Sequence, residues 1–221
     1  MLVACEESQA VCKEFRRLGH IAWSADLQEC SGGRAEWHIV GDCLPLLNGE
    51  CEFTTQDGAR HIQGGRWDLI IAHPPCTYLT NGGAVRMYEQ KGVINKERFQ
   101  LAMEGKAFFN ACLNAQAEHI AIDNPVPMSV IGLPPYAQII QPYEFGDPYS
   151  KKTCLWLKNL PQLVPTDILT EWQVFINGGG GRNEREHYKG GKFAVSAKDR
   201  SKPFPGIARA IAEQWSDYLT K

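Results

Sequence analysis

The sequence predicts an α/β domain: a mostly parallel sheet with helices on both faces, followed by a small irregular basic region near the C-terminus. Three observations carry this. Strand-like and helix-like stretches alternate through the first two thirds of the 221 residues, the order that produces parallel strands joined by crossover helices. Residues 68–72, DLIIA, form a short isoleucine-rich run of the kind found in a strand covered on both faces. Asp26, Asp42 and Asp123 each close a strand-like stretch, and parallel strands deliver such residues to one edge of the sheet.

Taken in order, residues 2–5 read as the first strand. Val11, Phe15 and Leu18 have helical spacing over 9–18, with Ser8 placed to cap that helix and Gly19 to stop it. Residues 20–25 give a second strand closed by Asp26, and 37–40 a short third strand before Gly41 and Asp42. Residues 43–66 are irregular. The strand at 68–72 then runs without a gap into His73-Pro74-Pro75-Cys76. Residues 78–96 form a polar loop, carrying Asn81-Gly82-Gly83, that is placed to act as a lid. Phe99, Met103, Ala107, Phe108 and Leu113 lie on or near one face of a long helix at 97–116. A fifth strand at 119–122 ends in Asp123-Asn124-Pro125, and 137–141 and 153–157 give two more. Ile207, Ile211 and Trp215 mark a closing amphipathic helix at 205–219. No internal repeat is visible. This order assigns 1–158 with 203–221 to one catalytic-sized domain and 159–202 to a small basic, recognition-like region.

With 43% apolar and 22% charged residues, the composition is that of a soluble protein. No apolar run reaches membrane-spanning length, and the first residues, strand-like and then Glu6-Glu7, do not read as a signal peptide. The eight cysteines include no CxxC pair and are expected as reduced thiols in a cytoplasm. His38, Cys43 and Cys51 fit no common zinc spacing, so no metal is expected. The net charge of −2 hides an asymmetry: residues 150–202 hold ten Lys/Arg against five Asp/Glu, the remainder 13 against 20. A basic segment on an acidic body points to a polyanionic partner, with a solvated lysine-rich loop as the even alternative.

Neither proline of Pro74-Pro75 can donate to a sheet ladder, and each fixes its own φ. Cys76 is therefore held on a short, stiff tether just past a strand, at the edge where α/β sheets bind ligands. That makes it a nucleophile candidate, against the plainer reading of a small thiol packed in a turn. A carboxylate at a strand end commonly receives a ribose diol or an adenine amino group, and as often serves as a cap or turn residue. Several at one edge beside the Cys76 turn point to a nucleoside-containing cofactor. Residues 5–10 contain no glycine, so a GxGxxG fingerprint is absent and NAD is disfavoured.

These residues resemble the cytosine-5 methyltransferases, class I enzymes that use S-adenosylmethionine, and in particular their short phage-encoded members. Pro75-Cys76 is similar to the family's Pro-Cys nucleophile turn. Asp123-Asn124-Pro125 sits where the family has Glu-Asn-Val. The run from Phe145 through Gly146-Asp147-Pro148-Tyr149-Ser150-Lys151-Lys152 to Thr153 resembles the Gly-x-Pro-Gln-x-Arg-x-Arg segment leading into a strand. Asp26 and Asp42 match the ribose and adenine acidic positions, and residues 203–212 match the final helix that completes the cofactor pocket. The resemblance implies a class I methyltransferase (Rossmann-like) fold, S-adenosylmethionine as cofactor and double-stranded DNA as partner. It further implies a monomer acting in the cytoplasm, that of a bacterial host cell if phage-encoded. It implies catalytic roles for Cys76, Asp123, Lys151 and Thr153. Cofactor contacts would come from Cys5, Glu6, Ser8, Asp26, Leu27, Asp42, Cys43, His73 and Pro74. Nucleic-acid contacts would come from Asn81, Lys152, Arg182, Arg185, Lys189 and Lys192. The chain departs from the pattern in several places, among them Tyr149 for the family's Gln and Lys151 for its first Arg. The Phe-x-Gly-x-Gly loop is replaced by Cys5-Glu6-Glu7-Ser8-Gln9. The catalytic Glu is shortened to Asp123. The second Arg is Thr153, which supplies no charged fork and leaves Lys151 or Lys152 to reach in. The large target-recognition domain is missing.

Carbon 5 of cytosine is a poor nucleophile until a thiolate adds at carbon 6. The reaction needs that thiolate, a proton donor at ring nitrogen 3, a methyl donor and a base for the carbon-5 hydrogen. Cys76 is expected to supply the first, beside positive groups such as His73 and Lys151. Asp123 is expected over nitrogen 3, protonated or sharing a proton and kept so by burial. The methylene it lacks relative to Glu withdraws its carboxyl by about 1–1.5 Å. Asn124 is expected to tie the Asp123 segment to the Pro74-Pro75 turn, an Asx turn being the equal alternative. A duplex cytosine reaches Cys76 only by swinging out of the helix. So little recognition structure suits a target of roughly two or three bases. Methylation of cytosine in RNA or in a free nucleotide remains open, as does a non-catalytic nucleic-acid binder. Adenine-N6 methylation is disfavoured by His73 and Cys76 flanking Pro-Pro, and thiol redox chemistry by the lack of a nearby resolving cysteine.

Overall fold

The computed structural model describes residues 1–174 and 202–219. Seven strands make one sheet: β1 (Leu2–Ala4), β2 (Trp23–Asp26), β3 (His38–Val40), β4 (Leu69–Ala72), β5 (His119–Pro125), β6 (Gln138–Ile140) and β7 (Thr153–Lys158). Their spatial order is β6-β7-β5-β4-β1-β2-β3. The first five run parallel, while β7 lies antiparallel between β5 and β6. The sheet is thus mostly parallel, as alternation predicts, with one reversed strand that alternation does not reveal.

All four residues of β4 are buried because the sheet is covered on both sides. Leu69 and Ile71 join Val3, Ala121 and Leu155 against helices α1 (Ala10–Arg17) and α3 (Pro205–Leu219), through Phe15, Ile207 and Trp215. Ile70 and Ala72 join Leu2, Ile120 and Ile122 against α2 (Lys96–Leu113), through Phe109 and Cys112. Helix α3 is seated on the 145–147 segment. Asp147 Oδ2 accepts from Gly206 N at 2.8 Å, and a Cβ at Gly206 would stand 1.9 Å from Phe145 O, so only glycine permits the approach.

Four local expectations change. Ser8 is not the N-cap of α1, although its Oγ accepts from Ala10 N at 3.4 Å: the N-cap position is Gln9 in a left-handed conformation, and the Val11 and Cys12 amides turn to Glu6. Residues 43–66 contain a hairpin, Cys51–Thr54 with Arg60–Gln63. Its loop donates Gln56 N to His38 O at 2.7 Å and so covers the exposed edge of β3. Residues 78–96 are not a plain polar loop but a 3-10 helix, Asn81–Met87, and a small strand pair, Tyr88–Gln90 with Val93–Ile94. Fully buried Leu79 and Met87 anchor it, and Asn81 N and Met128 N bond Val126 O and Leu79 O. Strand β5 runs on through Asp123 and Asn124 to Pro125, because β7 pairs along its whole length.

Residues 159–172 pass over the body. Leu163 is buried in the α1–α3 core, and both main-chain polar groups of Val164 bond Gln214. No helix among the described residues is long and apolar enough to cross a membrane.

Candidate active site at the carboxyl edge of the sheet

β4 and β5 are adjacent and parallel, with Ala72 beside Ile122, so whatever follows β4 emerges next to the end of β5. Two side-chain bonds fasten the two exits together. Asn124 Nδ2 donates to Pro74 O at 2.9 Å, with Asn124 buried, which is the expected tie. His73 Nδ1 pairs with Asp123 Oδ1. Further along, Thr80 Oγ1 donates to Cys76 O at 3.2 Å, and Thr80 pairs with Pro127. From α2, Arg98 donates to Thr77 O at 3.1 Å and lies over the Tyr78 ring. The main chain around Cys76 is therefore gripped from two elements. Its thiol is half-buried and outside any disulfide. Cys76 and Asp123 share one edge of the sheet.

The charges at this edge are coupled. Burial alone would raise the Asp123 carboxyl, but the charge and hydrogen bond of His73, then Lys151, hold it below the ordinary carboxylate range. Burial alone would lower His73, yet Asp123 and then Glu6 hold it above the usual imidazole range. Of the two states expected for Asp123, protonated or sharing a proton, the direct pairing with His73 fits the second, with His73 raised and Asp123 lowered by each other's charge. Glu6 is pushed up to about 7 by burial, against His73 and two amide bonds.

His73, Asp123, Lys151 and Thr153 line one small cavity of about 30 Å³, closed by Lys202, Pro203 and Phe204 ahead of α3. Lys151 reaches over the Phe204 ring at 5.7 Å. Lys152 is exposed, and Thr153 is buried with its hydroxyl on Lys151 O at 3.1 Å. Of the two lysines it is thus Lys151 that answers Asp123. Phe204 falls in the 203–212 stretch expected to complete the cofactor pocket, whereas Lys202 is not singled out by the sequence; its position just ahead of the closing helix is the available signal.

Asp26 and Asp42 stand at the ends of β2 and β3 on the same edge. Each spends Oδ1 on its own turn, accepting from Gln28 N at 2.9 Å and Leu44 N at 3.0 Å. Leu27 is exposed. Cys5 has φ 61, and its bond to Cys43 together with burial pushes its thiol well up. Glu6 and Cys43 turn inward: Glu6 Oε1 accepts from Val11 N at 2.6 Å and Oε2 from Cys12 N at 3.2 Å, while Cys43 Sγ faces Ala25 O. Their side chains do not reach the open edge expected of cofactor contacts. Ser8 lies under the 28–33 loop, where Gly32 comes so close that a Cβ would sit 2.5 Å from Ser8 O. Pro74 is buried, and Asn81 is exposed at the start of the 3-10 helix. Arg182, Arg185, Lys189 and Lys192 lie outside the described residues. No grouping of His, Cys, Asp and Glu fit for a metal occurs among the described residues.

No protein-family model matches the chain, and no curated protein matches it.

Proposed function

We propose that this protein transfers a methyl group from S-adenosylmethionine to carbon 5 of cytosine in DNA, through a covalent Cys76 adduct on a flipped-out base. The observation that carries the reading is the double fastening of the two strand exits. Asn124 on Pro74 and His73 on Asp123 set a Pro-Cys turn and a carboxylate side by side at the ligand-binding edge. The strand order adds support. The order 3-2-1-4-5-6 is that of a nucleotide-binding Rossmann sheet, and this chain keeps it with a reversed strand set between the fifth and sixth, which is compatible with the Rossmann-like fold the resemblance implies.

The residues also fit the cofactor. The start of the first helix, which in dinucleotide folds receives a pyrophosphate, is filled here by the Glu6 carboxylate. A phosphate there would lose its amides and meet a like charge. Asp26 and Asp42 remain on the edge for a ribose and an adenine, a set suited to a nucleoside without phosphates. The 5–8 main chain would hold the methionine portion. When bound, S-adenosylmethionine supplies a methyl group on a positively charged sulfur.

The chain supplies the rest. Cys76 Sγ, as thiolate, bonds carbon 6 of the extruded cytosine, and the displaced ring electrons are balanced by a proton at nitrogen 3. That proton comes from His73 across the Nδ1–Oδ1 bond, with Asp123 facing nitrogen 3 and the exocyclic amine. His73 first, and Lys151 after it, hold the Asp123 carboxyl below the ordinary carboxylate range against its burial. After methylation, a solvent water takes the carbon-5 proton, the electron pair of that C–H bond restores the 5,6 double bond and expels the Cys76 thiolate, and the nitrogen-3 proton returns by the same path. Double-stranded DNA is the proposed partner, with the protein acting as a monomer in the cytoplasm.

Duplex DNA carrying 5-fluorocytosine tests this, because fluorine at carbon 5 blocks the final elimination. A denaturant-stable adduct that vanishes in Cys76→Ser is expected. No adduct with the wild-type protein would leave a non-catalytic binder. Labelled-methyl transfer to DNA, RNA and dCMP in parallel identifies the substrate.

A further inference from the structure

The last turn of α1 and the segments entering β2 and β3 enclose a second depression, open to solvent and about 490 Å³ in volume. It lies at the sheet edge opposite Cys76. Lys13, Arg16, Arg17 and Arg34 line it, with Trp37 between them. Arg17 is committed to Glu14 at 2.8 Å and Glu213 at 2.9 Å, and Arg34 stands 3.5 Å from Glu36. Among the described residues no carboxylate pairs with Lys13 or Arg16. Lys13 Nζ donates to Gly32 O at 3.3 Å.

Arg16 is the informative residue. Its guanidinium lies over Trp23 and Trp37, 4.9 and 5.1 Å from the ring centroids, and Arg34 covers Trp37 at 4.9 Å. Nε donates to Ala22 O at 2.8 Å, the Cys12 thiol and the Glu36 carboxylate lie near the guanidinium, and Nη2 is buried with no oxygen or nitrogen partner. Buried charged donors are rarely left unanswered. Stacking on indole holds a guanidinium flat and already partly desolvated, so the ordering cost of an oxyanion contact with it is low. Lys13 and Arg34 stand beside it as exposed point charges.

We infer that this groove is a phosphate-binding site separate from the catalytic edge. Its occupant is either a backbone phosphate of nucleic acid or the phosphate of a free pyrophosphate-bearing molecule. The backbone source rests on the proposed DNA substrate, whereas phosphate binding itself does not.

Calorimetric titration at low salt, with pyrophosphate and with a short duplex of dA·dT that holds no cytosine, tests it. The wild-type chain binds at least one probe. The doubly substituted Lys13→Gln, Arg34→Gln protein, altered only at exposed side chains, binds that probe at least about tenfold more weakly. Arg60→Gln, at an exposed arginine of the hairpin Cys51–Thr54 with Arg60–Gln63, leaves binding unchanged. If the duplex is the ligand, the log–log salt slope falls by about 2 in the double variant. If only pyrophosphate responds, the site serves a free phosphate. Equal affinity of the double variant and wild type for both probes, or no binding of either, overturns the inference. Failed 5-fluorocytosine trapping with pyrophosphate binding intact sinks the methyltransferase reading and leaves the groove standing.

Discussion

Replacing Glu6 by glutamine gives a quantitative test of the buried charge cluster. Glu6 is 2% exposed, and burial pushes its carboxyl from an ordinary 4.5 to about 7. A carboxyl whose folded value is raised binds its proton more tightly folded than unfolded. Its contribution to stability is fully present below pH 4.5 and is lost as pH rises through about 7. Each pH unit across that window is worth about 1.4 kcal/mol, so the wild-type chain should lose about 3 kcal/mol from this group between mildly acidic and neutral pH. Glutamine matches the protonated side chain in size and does not titrate. Glu6→Gln also sets an amide nitrogen against one helix amide, at a cost of about 1–3 kcal/mol that does not vary with pH. The slope, not the offset, is therefore the diagnostic. Urea unfolding of both proteins at several pH values from about 5 to about 8 should give a falling line for wild type and a flatter one for Glu6→Gln. Parallel lines would refute the account of Glu6 as a buried, proton-binding cap.

Other outcomes follow from the same geometry. Asn124→Ala removes the donor to a buried carbonyl, with an expected loss of about 1–3 kcal/mol in urea unfolding. Adduct formation on 5-fluorocytosine DNA should slow by about 100-fold as the Cys76 turn drifts from Asp123; a stable but fully reactive variant would count against the tie. Because His73 is raised and Asp123 lowered, their ion pair exists only between those two titrations. Trapping by wild type should decline as pH rises through the His73 titration, and His73→Asn should be slower with that decline abolished. Phe109→Ala should cost about 3–5 kcal/mol, since the ring is fully buried edge-on to Trp156 at 4.9 Å; a loss below about 1 kcal/mol would mean that this face of the sheet is loosely packed.

The legible parts of the fold are those set by short-range pattern. The DLIIA run could only be a strand covered on both sides, and Ile207, Ile211 and Trp215 mark a helix over the residues that form it. The partnership of Asn124 with the proline turn was legible because a strand end and a turn on neighbouring parallel strands have one place to meet. The capping of α1 was not. Ser8 fits the local rule, but Gln9 adopts a left-handed conformation that swings the helix start back over Glu6, a choice made by the 28–34 segment that Gln9 bonds through both ends of its amide. Of the two states expected for Asp123, protonated or sharing a proton, its pairing with His73 fits the second, and the choice was not legible for a related reason. Burial was legible, but its answer lies 50 residues away in His73, which the Pro-Pro turn made look like a neighbour of Cys76 instead. Residues 78–96 looked polar because Leu79 and Met87, the two buried anchors, are isolated in sequence.

The reversal of β7 has a consequence for how the rim is assembled. Six residues of extended chain span about 20 Å. Had this strand travelled with its neighbours, Lys151 ahead of it would have entered from the far side of the sheet, a strand's length from the carboxylate it now meets. Because it travels the other way, the chain arrives where β5 departs, and a cation reaches the rim without a long connector. The rim is stitched from segments moving in both directions, and lengthening the 145–150 connection should shift its positive charge while every strand stays in place.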